Sequence, residues 1–166
     1  MEDLVSAKID VFSKFHQQKA VVCAGSMEDY NCMTIGWGMM GNVWKHPGSA
    51  LTIYVSPDRY TWKYLENNEY FTVSFFPKEY EKDVMYLGLH SGRDEDKVAN
   101  TRLTPKRMEH GVGFKEASLT FVCKKAYSHQ FDVEKVPAHM RETVYTKIAP
   151  HYEYIGFIEA VEGDVE

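Results

Sequence analysis

Cysteine is scarce in this chain. Its 166 residues contain Cys23, Cys32 and Cys123, an odd number with no C-x-x-C pair. That excludes a disulfide framework and a closed zinc site, and leaves reduced thiols used for packing. No apolar run approaches the roughly 20 residues of a membrane span, and the opening MEDLVSAKIDVFSKF lacks a signal-peptide core. The expectation is a soluble cytoplasmic protein with no membrane contact. There is no excess of basic charge: 19 Lys and Arg against 24 Asp and Glu give 19 − 24 = −5, which argues against nucleic acid as a partner. Repeats and low-complexity stretches are missing, and the 11 glycines and 6 prolines are scattered rather than pooled in a linker, so residues 1–166 read as one domain. The seven histidines show neither H-x-x-x-H nor H-E-x-x-H spacing, which gives no support to a metal site, and no G-x-S-x-G elbow supports a hydrolase triad. No catalytic side chain can be assigned. A domain without its own acid, base or nucleophile often takes its chemistry from a cofactor.

Aromatic residues, by contrast, are plentiful at 14%. Tyr and Phe suit pleated, half-buried surfaces, although a pocket for a flat ligand or a subunit interface would use them equally well. Strands are expected at Ala20–Ala24 and Cys32–Trp37, joined by a turn over Gly25–Asp29. Further strands are expected at Ser49–Val55, Glu69–Phe76, Ala117–Tyr127 and Tyr154–Val161. Short helices are expected at Asp58–Asn67 with Asp58 as N-cap, at Lys78–Leu87 closed by Gly88, at Asp94–Asn100 capped by Asp94, and within Val136–Thr146. Six strands with short helical connections fit a mainly β, antiparallel barrel rather than a doubly wound sheet.

Three strings carry possible chemistry. Gly36-Trp37-Gly38-Met39-Met40-Gly41 spells G-x-G-x-x-G, but Pro47 and Gly48 follow where a nucleotide-binding fold needs a helix, so a bent strand end or loop is the better reading. Ser56-Pro57-Asp58-Arg59-Tyr60-Thr61 stands at a strand-to-helix junction, and it reads either as an anion clamp or as a capped helix with a solvated arginine. Ser91-Gly92-Arg93-Asp94 with Asp96 and Lys97 repeats that chemistry at a second turn. Two such turns in a small acidic domain suggest phosphate held locally.

Taken in order, Asn31-Cys32-Met33-Thr34-Ile35-Gly36-Trp37, Gly41 to Pro47, Ser56 to Thr61, Phe71 to Pro77 and Ser91 to Lys97 resemble the flavin reductase-like family, which includes flavoredoxins. The resemblance covers about residues 20–125. It implies a six-stranded antiparallel FMN-binding split barrel, usually a homodimer. It also implies that Asn31, Met33, Thr34, Ile35, Gly36 and Trp37 lie along the flavin ring. Ser56, Arg59, Tyr60 and Thr61 would then hold the ribityl phosphate, with Ser91, Gly92, Arg93 and Lys97 on the second phosphate-side turn. His46 and His90 fall near the implied pocket, where each either donates to a ligand or faces water. The implied activity is transfer of electrons from NAD(P)H to flavin or to another small-molecule or protein acceptor. The alternative is an electron carrier that ignores nicotinamides. Among the phosphate holders Arg59 is expected to dominate, with Lys97 contributing less if partly solvated.

Overall fold

The computed structural model describes residues 4, 7–44, 49–163 and 165. After a short helical turn α1 (Val11–Ser13), continued as a π-type turn over Lys14–Gln18, come strands β1 (Ala20–Ser26), β2 (Asp29–Ile35), β3 (Gly38–Asn42) and β4 (Ser49–Val55). Helix α2 (Thr61–Asn67) leads to β5 (Tyr70–Phe75), and helix α3 (Glu81–Leu89) to the short strands β6 (Pro105–Arg107) and β7 (Val112–Phe114). Strand β8 (Leu119–Gln130), helix α4 (Ala138–Val144) and strand β9 (Tyr152–Gly163) complete the order. Among the described residues no helix is long and apolar enough to cross a membrane.

Seven strands form one antiparallel sheet in the order β2-β1-β5-β8-β9-β4-β3, and β6 and β7 pair separately. The mainly β antiparallel architecture is as expected, with seven strands in the sheet instead of six. Two-residue periodicity sorts each strand. From β1, Val22 and Ala24 join Leu51, Ile53, Phe71 and Phe121 in the barrel interior. Val21 and Cys23 turn the other way, under Val84 and Leu87 of α3 and Val112 of β7. β1 is therefore buried on both faces, which is why it reads as an uninterrupted apolar run. All three cysteines are free and buried, in keeping with a packing role.

Several expected boundaries shift for identifiable reasons. The additional strand is β3. Its glycines lie in a ladder with β4, Gly38 opposite Ile53 and Gly41 opposite Ala50, so of the G-x-G-x-x-G string only Gly36 and Trp37 are a link and the last four residues are edge strand. An edge strand bonded on one side needs no apolar period to form. β2 starts at Asp29 rather than Cys32, because the turn uses only Met27 and Glu28. α2 begins at Thr61 without a side-chain cap. Asp58 instead accepts the Ala149 N–H at 2.8 Å, a partner far along the chain that local pattern cannot reveal. Lys78–Tyr80 is a 3-10 turn, after which α3 passes through Gly88 to Leu89, since a Cβ at Gly88 would press on Thr34 of β2 while hydrogen still fits. Asp94–Asn100 forms successive turns rather than a helix, and Asp96, not Asp94, receives a backbone N–H, that of Ala99 at 3.3 Å. The expected helix within Val136–Thr146 shortens to α4, behind a 3-10 turn at Val133–Lys135.

One close approach inside the barrel gives a stability test. A Cβ on Gly156 of β9 would lie 2.6 Å from Phe71 Cζ and 2.7 Å from Cys123 Cβ. Gly156→Ala is expected to cost about 1–3 kcal/mol through overpacking. Urea unfolding of Gly156→Ala with and without Phe71→Leu checks this: the smaller side chain should recover part of the loss, and additive losses would refute the contact.

Candidate functional site

The cavity that gathers most of the expected residues has a volume of about 120 Å³ and lies where β2, the Ser56–Tyr60 turn and the turns after α3 meet. Its wall includes Asn31, Met33, Arg59, Tyr60, Thr61, Ser91, Gly92, Arg93 and Lys97, together with Asp58, Leu89 and His90. β2 supplies Asn31 and Met33 from one face, and both are buried. Asn31 Nδ2 donates to Thr61 Oγ1 at 2.7 Å, which ties β2 to the first residue of α2. The Gly92 turn closes over this pair so tightly that a Cβ there would overlap Asn31 Oδ1, so the position requires glycine.

Three cations converge here, and none has an ion-pair partner among the described residues. Lys97 is only 4% exposed, and its Nζ donates to Leu87 O at 2.8 Å and His90 O at 3.1 Å. Burial holds the Lys97 ammonium below the ordinary lysine range; Arg59 pushes the same way, while Cys32, Cys23 and Glu95 pull back. Arg59 is exposed, and its guanidinium donates to Gly88 O at 2.7 Å, near the carbonyl end of α3. Arg93 donates to Asp58 O at 3.2 Å and stands 5.1 Å from the centre of the Tyr60 ring. The Tyr60 hydroxyl accepts from Lys63 Nζ at 2.7 Å, which lowers the phenol's pKa. With seven residues, α2 is too short for its dipole to matter much; side-chain charge dominates. The Asp58 carboxylate also borders the cavity but is engaged with Ala149 N. A larger groove adjoins the cavity, sharing Asn31, Tyr60, Gly92, Arg93 and Lys97 and continuing along Tyr30 and Tyr64.

The remaining expected residues lie elsewhere. Thr34 faces the opposite side of β2 from Asn31 and Met33, and its hydroxyl donates to Val84 O of α3. Ile35 packs in the barrel core, and Gly36 lies against the Lys19 side chain. Trp37 is half exposed with its ring centre 4.5 Å from that of His151. Ser56 is buried, and its Oγ donates to Ala149 O at 3.2 Å, making it a structural clamp rather than part of the cavity wall. His46 lies outside the described residues. His90 does line the cavity, its ring stacked on Tyr86 at 3.7 Å. Leu89 and Asp58 are additions: the exposed end of α3 and a carboxylate with a distant partner leave no sequence signal. Among the described residues no cluster of His, Cys, Asp and Glu could hold a metal ion. Chemically the arrangement is a small polar recess of net positive charge, suited to a compact dianion. Gly92→Ala should displace Asn31 and lower stability by about 1–3 kcal/mol, while Gly41→Ala, where a Cβ meets nothing within 4 Å, should not. Thermal unfolding of both variants checks this, and equal behaviour would contradict the close approach.

The flavin reductase like domain profile matches residues 12–141. Among solved structures, the chain is similar to an FMN-binding protein from Thermus thermophilus, at 22% identity over 90% of this chain and 75% of that one, TM-score 0.68. It is also similar to a flavoredoxin from Methanosarcina acetivorans, at 21% identity over 96% and 76%, TM-score 0.67. A third likeness is to the flavoredoxin of Desulfovibrio vulgaris (Miyazaki F), at 22% identity over 99% and 77%, TM-score 0.66. At these identities the structural likeness bears on fold alone. No curated protein matches the chain. With 130 of its 166 residues matched by one profile and its sheet shared with these structures, the chain belongs to the flavin reductase like domain family.

Proposed function

We propose that this protein binds FMN and works as an oxidoreductase of the flavin reductase type, passing electrons from NAD(P)H to flavin or another acceptor. The observation that carries the reading is Lys97: a buried ammonium that, among the described residues, hydrogen-bonds only two backbone carbonyls, with Arg59 and Arg93 beside it. A buried cation of this kind favours an anionic partner, and the terminal phosphate of FMN has the charge and the size for the recess. Arg59, Arg93 and Lys97 would hold that phosphate, with Ser91 and Thr61 hydroxyls at the same wall. Bound FMN would supply the electron-transfer chemistry, and the chain's part is to fix the phosphate end and orient the rest along β2 and the adjoining groove. The likeness to two flavoredoxins favours a second reading, a carrier reduced by another protein. A homodimer is part of the proposal. Trp37, Met39 and Trp44 are exposed large apolar residues on or beside edge strand β3, a surface that a second copy would cover, and light-scattering mass in solution tests it.

Titrating the FMN-loaded protein with NADH and NADPH under nitrogen separates the two readings. Rapid bleaching by either supports the reductase. Reduction by dithionite alone supports the carrier, and failure to bind FMN removes both.

The burial of Lys97 reverses the order expected from sequence, since Arg59 is the water-screened partner. Lys97→Ala should therefore weaken FMN binding more than Arg59→Ala does. Affinity should also fall as pH rises through the pKa of Lys97, which lies below the usual 10.5, because deprotonation removes the charge the phosphate meets. Flavin fluorescence titrations across alkaline pH check the sign, and Lys97→Gln should lack the Lys97-linked decline.

A further inference from the structure

The stretch between β8 and β9 is not surface packing alone. Ala149 is bonded twice to the turn that carries Arg59: Ser56 Oγ donates to Ala149 O at 3.2 Å, and Ala149 N donates to Asp58 Oδ2 at 2.8 Å. Two residues on, the His151 ring packs against Trp37 with centres 4.5 Å apart and planes inclined by 39°, just past the end of β2, the strand that delivers Asn31 and Met33 to the cavity. His151 is held in turn by the Tyr145 hydroxyl, 3.2 Å from Nδ1, and by its own carbonyl, which accepts the Phe131 N–H at 2.9 Å. Pro150 between them is fixed through its carbonyl by Gln130 Nε2 at 3.0 Å. One short segment therefore holds the turn that carries Asp58 and Arg59 at the cavity wall and, through Trp37, packs on the chain just beyond the strand that carries Asn31 and Met33. Tyr145 to His151 lie beyond the residues matched by the family profile, 12–141.

We infer that Tyr145–His151 is a brace that sets the width of the anion cavity, with Asp58 and His151 as positioning residues acting through Ala149 and Trp37. The role in binding rests on the FMN reading; the mechanical coupling does not. Asp58 makes the inference specific. As a carboxylate at the wall of an anion site it should, acting by charge alone, repel the ligand, so its loss should improve binding. As the acceptor that holds Ala149, its loss should impair binding, and a neutral acceptor of the same shape should restore it.

The test uses the full chain and two readouts. In FMN titrations, Asp58→Ala and His151→Ala should each weaken binding by about threefold to tenfold, as expected when preorganisation is lost. Asp58→Asn and His151→Phe should stay within about twofold of the unmodified protein, on the same grounds. In flavin-free protein, Asp58→Ala should shift tryptophan emission and its quenching by iodide as His151→Ala does, and Trp37→Phe should abolish that shift. The hydrogen-bond partners of Asp58 are Ser56, Arg93 and Ala149, and the ring partner of Trp37 is His151, so a merely local role for Asp58 would leave the emission alone. Unchanged or tighter FMN binding in Asp58→Ala, loss of binding in Asp58→Asn, or unaltered Trp37 emission in Asp58→Ala would each overturn the brace. If the unmodified protein ignores FMN, the cofactor reading fails and the Trp37 emission alone decides the coupling. Should Asp58→Ala not fold, Ser56→Ala, which removes the other bond to Ala149, takes its place under the same criteria.

Discussion

The Lys97 ammonium is the constraint around which the site is organised. Taking a charge out of water is costly unless dipoles or a counter-charge replace the lost hydration. Here Leu87 O and His90 O do so, two carbonyls exposed by the end of α3, where the helix has no further N–H groups to offer them. The same helix end receives Arg59 at Gly88 O. α3 thus brings two cations together by its unsatisfied acceptors, and Thr34 of β2, bonded to Val84 O, fixes the helix on the sheet. Placement of the charges follows from ordinary helix-end chemistry, and among the described residues no carboxylate forms an ion pair with them.

The sheet makes this possible by being buried twice over. The interior holds the barrel together, and the outer face of β1, β2 and β5 takes α3 and the β6–β7 hairpin through Val21, Cys23 and Cys32. That second layer is what leaves room at its edge for a polar recess. Opposite faces of β2 show the division within one strand: Met33 looks inward, Cys32 looks to α3, and Asn31 at the rim reaches Thr61. A strand with one solvated face could not supply both the packing and the recess.

Most of the strands, and the two turns that bring Arg59, Tyr60, Thr61, Ser91, Gly92, Arg93 and Lys97 to the cavity, are legible in local pattern: β-branched runs ending in proline, and turns rich in glycine, serine and cations. Asn31 and Met33, by contrast, come only from the family resemblance. β4 was read to its correct bounds from Ser49–Val55. What escaped was decided by distant partners. Asp58 looked like a helix cap, since a short-range acceptor is the only role a sequence can assign it, yet Ala149 claims it across the chain. β3 reads from sequence as either a bent strand end or a loop because its side chains carry no apolar period, and only its backbone pairing with β4 decides for strand. Ser56 and Thr34 stood in the right motifs and proved to hold structure rather than to line the cavity, a distinction set by which face of a strand or turn a residue occupies. Lys97 lines the cavity and is buried, a burial that local pattern does not reveal because successive turns over Asp94–Asn100 stand where a short helix is expected.

The strand order also bears on how the protein is made. β1, β2 and β5 form one group and β3 and β4 another, and within the ladder the two are joined only through β8 and β9. During synthesis the β3–β4 hairpin leaves the ribosome with one side of β4 open, and it stays so until the partner strand emerges, since Val55 pairs with Tyr152 and Ala50 with Phe157. Such long-range pairing makes for slow closure. In that interval the nascent chain exposes the backbone edge and inner face of a strand carrying Leu51, Ile53 and Val55, which makes chaperone protection most relevant before the last pair of strands arrives.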